Sequence, residues 1–186
     1  KQTAATKSAV NHQSTEPTHC AHFSCHGSFD SINPLNSALQ LADESLTLSE
    51  IFSMDLQQAR LVTLSACETG LTDPTSLSDE YIGLPSAFLY AGSPNVVSSL
   101  WSVGDISTAL LMAKFYENLQ TEPSAALALN QAQCWLRDVR GNKLKQWVEN
   151  KRLSLNPTLA MNLRRRFKQE HPFQSPYYWA AFCAIG

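Results

Sequence analysis

Two short segments place reactive side chains where an apolar run gives way to glycine: His22-Phe-Ser-Cys-His26-Gly27 and Ser65-Ala-Cys67-Glu-Thr-Gly70. A cysteine attacks as its thiolate, so it needs a neighbouring base or cationic imidazole to populate that form at neutral pH. An imidazole of ordinary pKa, about 6.5, is the natural partner. In that role His26 takes the thiol proton as general base and later protonates a leaving amine as general acid. Gly27 has no Cβ to obstruct a substrate carbonyl, so the amides of Gly27 and Cys67 form an oxyanion site. Two plainer readings stand beside this one. A cysteine at a strand end serves as a small core residue, and a His-Gly pair makes a turn.

His19, Cys20, His22, Cys25 and His26 are dense enough to suggest a metal. A strand over 20–25 argues against one. At about 3.3 Å per residue His22 and His26 lie roughly 13 Å apart, whereas zinc wants its ligands at about 2.0–2.3 Å. The spacing also fits no zinc finger or ribbon. The expectation is no metal, with His22 and Cys25 as packing or supporting residues.

Other signatures are absent. The chain has no phosphate-binding loop, no dinucleotide fingerprint, no serine nucleophile elbow and no H-E-x-x-H. A phosphatase-type cysteine loop would want an arginine six residues after Cys67, and Asp73 stands there. Four acidic residues are candidates for a substrate pocket. Glu68 follows the cysteine, Asp79 and Glu80 close the next loop, and Asp105 follows the next strand. An acidic rim favours a basic substrate side chain. The plainer reading makes Asp105 a helix cap and Asp79 and Glu80 residues suited to a helix N-terminus.

These side chains need elements to hold them. Cys20–Cys25 reads as a short buried strand stopped by His26-Gly27. Ser37–Ala42 is a second strand, and Leu46–Met54 a helix that Ser45 or Thr47 can cap. Arg60–Cys67 is the strongest strand, apolar and β-branched. A helix over Tyr81–Tyr90 closes at Ala91-Gly92, and a strand follows over Asn95–Trp101. Helices are expected from Asp105 to Leu119 and from Ser124 to Asp138, the latter apolar at Leu127, Ala128, Cys134 and Trp135. Basic helices follow over Lys143–Lys151 and Thr158–Lys168, with breaks at Pro172 and Pro176. A closing strand spans Tyr177–Ile185. Strands alternating with helices predict an α/β fold with a mainly parallel sheet, whose site lies beyond the carboxyl ends of the strands.

With 186 residues, 44% hydrophobic and 16% charged, the chain suits one folded domain rather than a disordered segment. No apolar run reaches the roughly 18 residues of a membrane helix, and the polar start lacks a signal-peptide core. Five cysteines, an odd count, read as free thiols in a reducing compartment, hence a cytoplasmic location. The net charge of −2 hides an asymmetry: residues 137–170 hold ten Lys or Arg and three Asp or Glu. Arg164-Arg165-Arg166 wraps around a helix instead of forming one stripe, so no nucleic-acid partner is expected.

As a set, the segments resemble a CHAT domain, a caspase-like module of the clan CD cysteine peptidases. The matching stretches are His22-Phe-Ser-Cys-His-Gly27, Leu64-Ser-Ala-Cys-Glu-Thr-Gly70, Glu80–Gly92 and Val97-Ser-Ser-Leu-Trp-Ser-Val-Gly-Asp105. Phe115-Tyr, Ala128–Gln133 and Pro176–Phe182 continue the pattern, and the tail from Trp135 is similar to cyanobacterial members. The resemblance covers about residues 20–186. It implies a three-layer αβα sandwich and a His26–Cys67 dyad with Gly27 as oxyanion donor. It further implies endopeptidase action on a protein or peptide substrate without a cofactor. Regulation by upstream TPR-like or other sensor domains belongs to the same picture. The usual acidic residue after Val103 stands one position on, as Asp105. Such domains begin well before the His strand. Residues 1–18 are therefore expected to be the remnant of an upstream part, and 19–186 the CHAT domain, N-terminally truncated. The alternative use of the fold is a non-proteolytic interaction scaffold.

Overall fold

The computed structural model describes residues 5–13, 19–30, 32–65, 83–151 and 157–186. They form two compact units, Lys1–Ser102 with Phe182–Gly186, and Val103–Ala181.

The first unit is built on strands. After helix α1 (Lys7–Gln13) come β1 (Cys20–Phe23) and β2 (His26–Ser28). A 3-10 turn at Pro34–Asn36 leads to β3 (Ala38–Gln40), β4 (Ser45–Thr47) and α2 (Leu48–Phe52). Then follow β5 (Leu61–Leu64), α3 (Leu84–Tyr90), β6 (Val96–Ser99) and the terminal β7 (Phe182–Ile185). Four strands make one sheet in the order β1-β5-β6-β7. The β1–β5 and β5–β6 pairings are parallel and β6–β7 is antiparallel. All four residues of β5 and of β6 are buried, as the inner strands of a parallel sheet require. The expected α/β class with a mainly parallel sheet is what forms. Leu39, Leu46, Leu48, Ile51, Val62, Leu64 and Phe88 make the core, and Phe23 adds a ring contact to Phe88 at 5.3 Å.

Local signals account for several boundaries. Thr47 caps α2: its hydroxyl accepts from Glu50 N while the Glu50 carboxylate accepts from Thr47 N at 2.9 Å. Such a reciprocal box stabilises a helix start by about 1 kcal/mol. Glu50 also meets Lys7 Nζ at 2.6 Å, tying α1 to α2. Helix α3 ends where Gly92 takes φ +110, and a Cβ there would stand 3.0 Å from Gln57 N.

Three expectations are corrected. His26-Gly27 does not stop the first strand as a turn. It is β2, paired antiparallel to β3 with His26 opposite Gln40 and Gly27 opposite Leu39. With β4 these strands form a second sheet, because distant backbone groups satisfy residues 26–28. Ser45 lies in β4 and does not cap. Tyr177–Ile185 is not one strand: Pro176, pre-set at φ for a first helical position, opens α8 (Pro176–Trp179), and only Phe182–Ile185 pairs.

The second unit is helical: α4 (Asp105–Asn118), α5 (Ala125–Asp138), α6 (Gly141–Lys151), α7 (Pro157–Arg166) and α8. The Ser124 side chain caps α5 by accepting from Leu127 N at 3.3 Å. The face of α5 that is buried is Ala125, Ala128, Leu129, Ala132 and Leu136. Leu127 is instead 55% exposed, and Cys134 and Trp135 are half-buried. Trp135 packs on Trp147 with ring centroids 4.8 Å apart. Among the described residues no helix is long and apolar enough to cross a membrane.

Candidate active site

β1 and β5 run parallel with Cys20 opposite Leu61 and Phe23 opposite Leu64. The ladder closes where Ser65 N donates to Phe23 O at 3.0 Å. The residues that end the two strands, Phe23 and Leu64, thus stand opposite one another. His26 is three residues past Phe23, and Cys67 is three residues past Leu64 in the sequence. Cys67, Glu68, Asp79 and Glu80 lie outside the described residues.

His26 opens the short strand β2 and is exposed. Among the described residues none hydrogen-bonds its imidazole. Its strand is braced on the same face by polar side chains. Ser28 Oγ donates to Ala38 O at 3.3 Å, Gln40 Nε2 to Ser28 Oγ at 3.3 Å, and Ser45 Oγ to Gln40 Oε1 at 2.9 Å. Gly27 sits between, half-buried, opposite fully buried Leu39.

His22 and Cys25 take supporting places, in keeping with the sequence reading. Cys25 packs against the core, and burial pushes its thiol pKa up, which makes it a poor nucleophile. His22 Nε2 lies 2.7 Å from Ser65 Oγ. Burial of part of the ring lowers its pKa from the ordinary imidazole value, favouring the neutral form. Nothing in the spacing of the segments drew attention to Ser65. The available signal was that it stands one position past β5, on the sheet face that Thr63, the partner of His22, shares.

Asp105 belongs to the helical unit, and its expected capping role is corrected. Gly104 is the N-cap of α4, its carbonyl accepting from Ser107 Oγ at 2.8 Å and Thr108 N at 3.1 Å. Asp105 is the first helical residue and suits the positive end of the helix dipole. With Ser107, Thr158, Asn162, Arg166 and Tyr178 it lines an open cavity of about 350 Å³ within that unit.

The described residues define a mixed α/β class with a mostly parallel sheet and an exposed histidine three residues past β1. The chain matches the CHAT domain over residues 2–186 and belongs to that family, which is caspase-like and peptidase-related. No curated protein matches the chain.

Proposed function

We propose that this domain is a cysteine endopeptidase with Cys67 as nucleophile and His26 as its acid–base partner. The observation that supports the reading is the β1–β5 register, which sets Phe23 opposite Leu64, the residues three before His26 and Cys67 in the sequence, together with an exposed His26 whose imidazole is hydrogen-bonded by none of the described residues. The Cys67 thiolate adds to the peptide carbonyl carbon, and the resulting oxyanion is held by the amides of Gly27 and Cys67. Collapse breaks the C–N bond, the amine leaving with a proton from His26, and a thioester remains. Water, deprotonated by His26, attacks the thioester and releases the carboxylic acid and the thiolate. Glu68, Asp79 and Glu80, close to Cys67 in sequence, favour Arg or Lys before the scissile bond. Upstream repeat or sensor domains are the expected regulators, and a reducing cytoplasm keeps the thiol available.

Digestion of a proteome-derived peptide library, read by mass spectrometry, tests this. New ends should form with the native chain and vanish in Cys67→Ala and in His26→Ala, with melting unchanged. A Cys67→Ala chain that cleaves normally overturns the assignment. Acidic or apolar residues before the cut overturn the basic preference. Partner binding lost in Cys67→Ala without any cleavage would instead mark an interaction scaffold.

A further inference from the structure

The carboxyl ends of β1 and β5 are joined by more than backbone. His22 faces Thr63 across the pair, and Ser65, two residues on, shares that face. Their side chains meet with Nε2 2.7 Å from Oγ, directly beside the last ladder bond, Ser65 N to Phe23 O. From this point the chain diverges. Beyond Phe23 it leaves for the second sheet, where His26 pairs with Gln40. Beyond Ser65 it runs on two residues to Cys67. Parallel strand ends held by one backbone bond fray readily. A second bond between side chains, one ring partly screened from water, resists that opening.

We propose that His22 and Ser65 form a positioning pair. It clamps the two strand ends so that the segments leading to His26 and Cys67 start from a fixed separation. The pair acts through the dyad and touches no substrate atom. This rests on the dyad reading of the preceding subsection. The neutral form of His22 suits the task, since a second imidazolium near His26 would oppose the thiolate–imidazolium pair.

The test is alkylation of the native chain by iodoacetamide, which the Cys67 thiolate attacks with loss of iodide. At about pH 6.5 an ordinary thiol of pKa near 8.5 is only about 1% thiolate. Mass spectrometry gives a rate for each cysteine, and a pH series gives the midpoint of Cys67 reactivity. Loss of the clamp in Ser65→Ala or His22→Ala should slow Cys67 by about 10- to 100-fold at that pH, the scale of a small misplacement. Its midpoint should rise, while Cys20 and Cys134 keep their rates. Ser65→Thr keeps the hydroxyl, and His22→Gln keeps a nitrogen at the Nε2 position, so both should restore most of the rate. The double alanine variant should be no slower than either single one. A fast Cys67 that Ser65→Ala leaves unchanged overturns the positioning pair alone. So does a loss that the threonine and glutamine variants fail to rescue, or that comes with faster labelling of every cysteine, because those mark a general fold defect. A Cys67 no faster than the other thiols in the unaltered chain overturns the dyad, and the pair with it.

Discussion

The strand unit and the helical unit use charge in opposite ways. The strand unit has three Lys or Arg against ten Asp or Glu, a net of −7, and the helical unit has eleven against six, a net of +5. In the helical unit, charged groups are built into packing. Arg166 stacks on Phe173 and Tyr178 with centroid distances of 5.1 and 4.9 Å, and donates to Pro172 O and the Tyr178 hydroxyl. Glu117 accepts from Trp147 Nε1 at 3.0 Å and pairs with Lys114 and Lys151. In the strand unit the His26 imidazole has no such partner among the described residues. A partnered charge stabilises an arrangement, whereas an exposed, unpartnered imidazole is available for proton transfer. The comparison separates ionisable groups that are built into packing, the Lys7–Glu50 pair of the strand unit among them, from the exposed His26 imidazole on which the proposed chemistry rests.

The largest effect should come from the core beneath β1. Phe88 is fully buried against Phe23, so Phe88→Ala should cost about 3–5 kcal/mol of stability by denaturant titration. It should also slow Cys67 alkylation per folded molecule, because Phe23 ends the strand from which His26 departs. Unchanged alkylation would separate the site from the core packing.

An intermediate effect is expected from Arg166→Ala, which removes two cation–π contacts and two hydrogen bonds. The loss should be about 1–2 kcal/mol, read by tryptophan fluorescence, since Trp135, Trp147 and Trp179 are in the helical unit. A variant as stable as the native chain would show that the cluster is incidental.

The smallest and sharpest contrast concerns acid. The His22 pKa is lowered in the fold, so its contribution is full above about pH 6.5 and falls as pH drops through the folded value. Glu50 is held at about 2 by Lys7 and by Thr47, so its share is full above the ordinary glutamate range and is lost as pH approaches 2. Much of Glu50 stays in water, which keeps that share below about 1 kcal/mol. In the helical unit two carboxylates are lowered. Glu117 is pushed up by burial but held down more strongly by Trp147 and its lysines, and Asp138 is held down by Arg137. Backbone-amide hydrogen exchange of β1 and β5 should therefore lose its protection at a higher pH than the tryptophan signal changes. Coincident curves would mean that the two units unfold as one.

How much was legible in the sequence varies with the range of the interaction. The Thr47–Glu50 box, the Ser124 cap, the Gly92 terminus and the β-branched runs of β5 and β6 act within a few residues, and their types announce them. That a histidine and a cysteine stand at the ends of two apolar runs was legible for the same reason, and so was the family. The basic residues from Arg137 onward were visible as a run, though not that Arg166 would be enclosed by two rings brought from the segment after Pro172.

Partnership over long separations was not legible. That β7 would join antiparallel, Phe182 against Ser99, depends on which edge the folded sheet leaves open. That His26-Gly27 would be a strand depends on Leu39 and Gln40 arriving beside it. The meeting of His22 with Ser65 needed the β1–β5 register, because a strand's own residues state which side each points to but not what stands opposite. By itself the sequence determined most of the elements and which reactive residue types stand near their ends. Only the tertiary structure decided which strands pair and which polar groups meet, because sheet hydrogen bonds join segments whose approach no local preference specifies.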